Sequence, residues 1–281
     1  MILDKIEGIK FEPEAHTYTL NGISMLSVTK LLNDYEPEFD AEKISYFVAR
    51  KKVRETHGWK EGEPDDETMI TLVQQEVLAE WDQRRDEAAD HGTNIHKIME
   101  DAVNDNILPD QEADPQGLVQ SFVKEGMQVY SEMASEVAIA SAQFGIAGKT
   151  DFVAVRKTRT RILDFEDFKS NLHKGIRFDS ISRKNGVIKH DNKFFKAPLN
   201  HLELCNYNRY AMQLSIYALL FELWFQCQIG KIGIRWIEMD NAGAFSRMFY
   251  IPIPYMRSDA MRMMIEYSQA HPVTQLNDEN W

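Results

Sequence analysis

A mixed β-sheet flanked by helices, in the α/β to α+β range, is the fold class this sequence predicts. Three observations lead to it: an alternating apolar and polar run around Asn21-Gly22, three more strand-like runs between residues 131 and 170, and helix-type apolar spacing on both sides of them. At 281 residues the chain holds one large domain or two small ones, with domains at roughly 100 to 200 residues each. The expectation is a single domain over 1–281, with a hairpin and a mainly helical part in 1–130 and a core sheet, basic insertion and flanking helices in 131–281.

Taken in order, FEPEAHTYTLNGISMLSV alternates about Asn21-Gly22, a dipeptide that accepts the left-handed φ values of a two-residue type I′ turn, so a hairpin is expected. Helical spacing follows from Val28 to Arg54, breaks at HGWKEGEPDDE, and resumes from about Thr68 to Ala89. His91-Gly92-Thr93 is expected to interrupt it, with Thr93 capping a new helix that carries His96 and Glu100 one turn apart. A loop covers 104–117, and EVAIASAQFGIAGKTDFVAVRKTRTRILDFEDFKSN then reads as three strands. A basic, polar excursion over 172–198 leads to a helix at about 207–226. Two further strands, IGKIGIRWIEM and RMFYIPIPY, and a last helix near 258–270 complete the pattern.

Composition is that of a water-soluble globular chain, with 43% hydrophobic and 27% charged residues and no apolar run near the roughly 20 residues that cross a bilayer. Neither a secretory signal nor a transit peptide opens it, so no membrane partner and a cytoplasmic location are expected. Cys205 and Cys227 are too few for a disulfide framework, a four-cysteine zinc site or an iron-sulfur cluster, and read as core thiols. The net charge of -12 argues against a polyanionic partner, but its distribution is uneven: residues 149–196 carry thirteen Lys or Arg against six Asp or Glu. A solvated loop is the plain alternative to a polyanion-binding segment.

The chemistry concentrates in GKTD, Gly148 to Asp151, and in the run Ile162-Leu163-Asp164-Phe165-Glu166-Asp167-Phe168-Lys169. Side chains two apart on a strand share a face, so Asp167 and Lys169 point together while Asp164, Glu166 and Phe168 point the other way. An acid and a lysine so placed, with a second acid from the neighbouring strand, make a hard oxygen site for a divalent cation and an attacking water. The second acid-x-Lys triplet, Asp191/Lys193, lies in the polar excursion with no partner acid at hairpin distance. A surface ion pair on an edge strand is the plain alternative for Asp167/Lys169. Gln213 and Tyr217 lie one helical turn apart on a stripe with Tyr210, Leu220 and Trp224, which is either core with a self-satisfied polar pair or a face turned to an active site. His96, alone on its helix, reads equally as a structural histidine or a ligand.

In order and spacing, His96 in GTNIHKIME, Glu136 leading into a strand, Gly148-x-x-Asp151, Asp167-x-Lys169 and Gln213-x-x-x-Tyr217 resemble the RecB-like nucleases of the PD-(D/E)XK superfamily. HTYTLNGISMLSVTKLL resembles the opening of phage-encoded and mitochondrial genome maintenance exonucleases in that group, and the likeness covers about residues 11–240. It implies a restriction-endonuclease-like core and a metal-dependent DNA exonuclease that favours single-stranded ends in repair, recombination or replication. A phage origin, an infected bacterial host cell and replication or recombination proteins as partners belong to the same expectation. The chemistry would also suit a duplex or structure-specific endonuclease, and a non-catalytic DNA-binding scaffold is the contrasting reading. The resemblance implies that His96, Asp151, Asp167 and the Phe168 carbonyl bind Mg²⁺ or Mn²⁺, that Lys169 positions water or stabilises charge, and that Gln213 and Tyr217 orient Lys169 or the scissile strand. Glu100 and Glu136 take supporting roles, and whether Asp164 contributes is open. Lys174, Arg177, Arg183, Lys184, Lys189 and Lys193 would track DNA, with Phe178, Phe194 and Phe195 as stacking faces or as core. The lack of a cysteine cluster departs from the iron-sulfur members of the group.

Overall fold

The strand carrying the Gly148-x-x-Asp151 motif organises the sheet. The computed structural model describes residues 7–13, 15–56, 62–170, 175–184, 187–190 and 193–272, with the backbone alone for 182–184 and 187–190. In chain order the elements are β1 (Ile9–Glu12), β2 (Thr17–Leu20), β3 (Ile23–Ser27), α1 (Val28–Asp34), α2 (Ala41–Thr56), α3 (Glu67–Asn104), α4 (Leu118–Val129), β4 (Tyr130–Ser141), β5 (Ile146–Arg156), β6 (Ile162–Ser170), β7 (Ile181–Lys184), β8 (Val187–His190), α5 (Asn206–Phe225), β9 (Gln228–Met239), β10 (Phe245–Pro252) and α6 (Arg257–Ala270). They form two compact units: the described residues of 1–37 and 95–281 make one, and Glu38–Asn94 the other.

The larger unit is a mixed eight-stranded sheet in the order β1-β2-β3-β5-β6-β9-β10, with β4 on the other side of β5. The pairs β3/β5 and β6/β9 are parallel and the rest antiparallel. The expected hairpin turns at Asn21 and Gly22, whose φ values of 50° and 83° suit a type I′ turn. On one side of β5, the ladder to β3 uses Ile146 and Ala147, while the ladder to β6 begins at Phe152. Residues 148–151 therefore lie in a fork where β3 and β6 diverge.

Helices cover both faces. One core gathers α1, α5 and α6 against Val153, Val155, Leu163, Phe165 and Ile234; the other packs Ile95, Met99, Ala102, Val119 and Val123 against Phe152, Ala154, Phe168 and Ile237. Alternation along β6 assigns Phe165 to the first core and Phe168 to the second. Both cysteines are buried and free. The α5 helix is buried over Ala211, Met212 and Leu214–Phe221, more of its circumference than one stripe, because the sheet, α1 and α6 all pack on it. Trp224, the last residue of the expected stripe, is instead exposed. Among the described helices none is long and apolar enough to cross a membrane.

The expected break at His91-Gly92-Thr93 does not occur: α3 runs unbroken from Glu67 to Asn104. Thr93 Oγ1 donates to the Ala89 carbonyl at 2.9 Å, within the helix, instead of capping a new one. A single interior glycine costs only about 1 kcal/mol, and the burial of Ile95, Met99 and Ala102 beyond it outweighs that. The basic excursion contains a short antiparallel pair, β7/β8, which the polar sequence does not signal. The smaller unit has its own core of Ala49, Val53 and Ile70, and Asp65 there accepts from Arg50 and Arg54 at 2.7 and 2.6 Å.

Tyr217 fills the fork. A Cβ on Gly148 would lie 2.5 Å from Tyr217 Cε1 and 3.2 Å from Val28 Cγ2. Gly148→Ala should therefore destabilise the protein by about 1–3 kcal/mol through overpacking, read as a lowered denaturation midpoint. An unchanged midpoint would show that α5 does not seat against β5 this closely.

Candidate active site

Three strands and one helix bring the candidate residues together. On β5 and β6, Phe152 pairs with Glu166, and continuing that register by one residue sets Asp151 across from Asp167. On the other side of β5, Ser135 pairs with Phe152 and Val137 with Thr150, so Glu136 lies across from Asp151 as well. The last part of α3 supplies His96, whose Nδ1 is 3.3 Å from Glu136 Oε1 and 3.6 Å from Asp151 Oδ1, and whose Nε2 is 2.9 Å from the Phe168 carbonyl. Because that carbonyl can only accept, Nε2 carries the proton and Nδ1 is turned to the carboxylates.

Lys169 closes the cluster from β6, with Nζ 2.7 Å from Asp167 Oδ2 and 3.6 Å from Asp151 Oδ2. The Phe168 backbone N–H donates to Asp151 Oδ2 at 2.8 Å. Lys149, two residues before Asp151 and so on the same face, forms an ion pair with Glu136 Oε2. The Lys169 ammonium also lies 5.5 Å from the Tyr210 ring centroid. Gln213 Nε2 donates to the Tyr217 hydroxyl at 3.3 Å, so the polar pair of α5 is mutually satisfied. Asp167 and Asp151 lie near enough to raise the Tyr217 pKa further above the ordinary phenol value than burial already does.

Glu136 is held at a left-handed φ of 59°, uncommon for a residue with a side chain. Asn104, the last residue of α3, fixes it there: its amide donates to the Ser135 carbonyl at 3.1 Å, and its oxygen accepts from the Ser135 N–H at 2.8 Å. The Ser135 hydroxyl in turn donates to the Asp151 carbonyl at 2.5 Å.

The electrostatics follow from crowding three carboxylates. Burial, and then the neighbouring Asp167, push the Asp151 pKa up to about 7 against the pull of Lys169 and His96. Burial would depress Lys169, but Asp167 and Asp151 outweigh it and hold the ammonium protonated. His96 is likewise raised, since Glu136 and Asp151 overcome its burial. Glu136 is lowered despite burial by hydrogen bonds from His96 and Lys149.

His96, Glu136 and Asp151 each present one ligand atom within 4.8 Å of the others. Asp167 is completely buried, and although Oδ2 is close to Lys169, neither oxygen receives a well-aligned hydrogen bond. A buried carboxylate short of donors, beside one imidazole and two further carboxylates, fits a divalent cation. Glu136 is thus one of the three residues whose ligand atoms could meet at one cation, whereas Glu100 pairs with Lys97 along α3 at 3.5 Å. Asp164 faces away: Arg156 Nε, the Tyr130 hydroxyl and the Lys231 N–H all donate to it, at 2.9, 3.0 and 2.7 Å. Glu166 on that face binds Arg235 through two hydrogen bonds of 2.7 and 2.8 Å.

Of the basic residues expected to track DNA, Lys174 and the side chains of Arg183, Lys184 and Lys189 lie outside the described residues. Arg177 and Lys193 use their carbonyls to bind the Tyr207 and Leu204 N–H groups at the start of α5. Among the other basic residues of the segment, Arg156, Lys157, Arg161 and Lys196 are engaged within the fold. Phe195 belongs to the core, while Phe178 and Phe194 are exposed. Lys149, Asn104 and Tyr18 are site neighbours that the motifs do not identify. Tyr18, on β2, has its pKa pushed up to about 12 by burial and then by Glu136 and Asp151.

No described protein family and no curated protein matches this chain. Among solved structures, a protein of Eubacterium rectale to which exonuclease activity is ascribed aligns at 12% identity over 88% of this chain and 79% of its own, with a TM-score of 0.36. SSO0001 aligns at 15% identity over 86% and 84%, with a TM-score of 0.29. Likenesses this low carry no argument about chemistry.

Crowded carboxylates give a sign-defined expectation. With its pKa raised from 3.8 to about 7, Asp151 binds a proton in the folded state that the unfolded chain releases, so this contribution to metal-free stability is lost as pH rises across that window. The raised His96 adds a loss in the same direction. In EDTA, Asp151→Asn should flatten the fall of Tm between about pH 5 and 8 and raise Tm at the alkaline end by about 2–4 °C for each kcal/mol of repulsion removed. Parallel melting curves for the two proteins would refute this charge assignment.

Proposed function

We propose that this chain is a metal-dependent deoxyribonuclease of the RecB-like PD-(D/E)XK kind, acting on phosphodiester bonds as an exonuclease. The observation that carries this reading is Asp151 opposite Asp167 in the fork of the sheet, with Lys169 against both and His96 delivered from α3. His96, Glu136 and Asp151, with Asp167 and the Phe168 carbonyl beside them, would hold Mg²⁺ or Mn²⁺. Such a cation, when bound, supplies Lewis-acid activation of water and charge neutralisation at phosphorus.

The side chains do the rest. Lys169, kept protonated by Asp167 and Asp151, presents an ammonium to charge that develops on the phosphoryl oxygens. Water oxygen forms the new bond to phosphorus, the bond to the 3′ oxygen breaks, and the products are a 5′-phosphate and a 3′-hydroxyl. Tyr210 and the Gln213–Tyr217 pair fix the α5 face against which Lys169 lies. Single-stranded ends are the favoured substrate, because a chain of net charge -12 repels duplex DNA while residues 149–196 hold its local basic excess. A phage-encoded role in replication, recombination or repair inside the bacterial host fits this substrate.

Lys169→Ala should keep its fold and most DNA binding and lose cleavage by at least about 100-fold, the scale of removing one charge-stabilising donor. Asp167→Ala should lose metal binding too. End-labelled linear and internally labelled circular DNA, single- and double-stranded, incubated with Mg²⁺ or Mn²⁺, measures cleavage, and calorimetric titration with Mn²⁺ measures the metal. Near wild-type cutting by Lys169→Ala would overturn the active site, and rapid cutting of circular single strands would overturn the exonuclease reading.

A further inference from the structure

The N-terminal hairpin places aromatic rings next to the acid cluster. Phe11 and Tyr18 pair across β1 and β2, with ring centroids 4.7 Å apart and planes tilted by 31°. His16, in the turn between them, has its ring 5.4 Å from Phe11 and 6.3 Å from Tyr18. Its φ is 48°, a left-handed conformation that costs a residue with a side chain of order 1 kcal/mol or more and that recurs at ligand clamps. Tyr18 is buried and backs the group, Phe11 is half-buried, and His16 is exposed. Lys149 joins this cluster to the site: its Nζ lies 5.0 Å from the Phe11 ring centroid and pairs with Glu136, which in turn contacts His96. One lysine side chain therefore spans the distance from rings to ligands.

The rings are needed neither to hold a cation nor to break a phosphodiester bond. Aromatic faces beside a cation are, however, the usual means of holding unpaired nucleotides without regard to sequence. We propose that Phe11 and His16 form a stacking subsite for the unpaired base next to the scissile phosphate, and that Lys149 meets the phosphate of that nucleotide. The inference rests on the nuclease reading and deepens it: a paired base has no free face to offer, so the subsite selects single strands by stacking, independently of charge.

The test is equilibrium binding by fluorescence anisotropy with the full-length Lys169→Ala protein in Mg²⁺. The probes are a fluorescent twelve-residue oligothymidylate and a series with one abasic position moved along it. Phe11→Leu and His16→Ala should each weaken binding of the intact oligonucleotide by about 5- to 150-fold, the range for one stacked base. One abasic probe should be weakened similarly with the parent protein and show no further loss with either variant. Phe11→Tyr, which keeps a ring, should restore affinity, and Lys149→Gln should flatten the salt slope by about 0.7. Equal losses on intact and abasic probes, or rescue by no ring-bearing variant, would mean the rings only pack the hairpin and would overturn the subsite. If the unmutated protein degrades DNA but Phe11→Leu binds the intact oligonucleotide unchanged, the subsite fails and the nuclease reading stands. A wild-type protein that neither binds nor cuts DNA removes both.

Discussion

Two buried carboxylates held opposite each other, Asp151 on β5 and Asp167 on β6, are the constraint on which the rest of the site depends. Strand pairing fixes their separation, so neither can move away, and burial denies them water. What surrounds them answers that repulsion: an ammonium from Lys169, a backbone N–H from Phe168, and the imidazole of His96. The answer is incomplete, since Asp151 still titrates near 7 and Asp167 lacks a well-aligned donor. Structural ion pairs are normally satisfied. Strand β6 itself provides the contrast, because on its opposite face Asp164 is bound by Arg156, Tyr130 and a backbone N–H, and Glu166 by two hydrogen bonds from Arg235. Three acids within four positions thus separate into two structural groups and one left wanting a cation.

The surrounding scaffold also bears a backbone cost. Glu136 keeps a left-handed φ in the middle of a strand, a conformation worth of order 1–3 kcal/mol that persists only where neighbours over-determine it. The two hydrogen bonds from Asn104 to Ser135 do this, and they tie the end of α3 to the strand, so the helix that carries His96 and the residue that meets it are fixed by one side chain. On the far side of the fork, Gly148 lets Tyr217 enter where any Cβ would exclude it. These contacts position the acid cluster from both sides of β5, and preorganisation of this kind is what electrostatic catalysis would require of it.

Much of this was legible in the sequence where local rules govern. Period-two alternation placed β4, β5 and β6, Asn21-Gly22 placed the turn between β2 and β3, and the same alternation put Asp167 and Lys169 on one face and Asp164 and Glu166 on the other. What escaped depends on contacts distant in the chain. Glu136 carries no local mark of its left-handed backbone, and only strand register sets it beside Asp151. Asn104 looks like an ordinary helix end until Ser135 is beside it. His91-Gly92-Thr93 has the composition of a break, but packing beyond the glycine decides for a continuous helix. The charge count over 149–196 takes no account of which cations the fold itself engages, such as Arg156 and Lys196.

That last point bears on how an acidic protein could hold a polyanion. Among the described residues, Lys149, Arg156 and Lys169 each face a carboxylate, and Lys157, Arg161 and Lys196 each donate to a backbone carbonyl, so these six of the thirteen cations are engaged within the fold. Long-range attraction decays within about 10 Å at moderate salt, and a net charge of -12 leaves little to steer a duplex toward the protein. Capture of the proposed DNA substrate must then come from short-range contacts made after encounter: a cation shared with the carboxylates, and aromatic faces open to an unpaired base. Both are available only to a strand that can reach the acid cluster and unstack. In the proposed reading, the net negative charge that disfavours a duplex leaves capture to short-range contacts with a single strand.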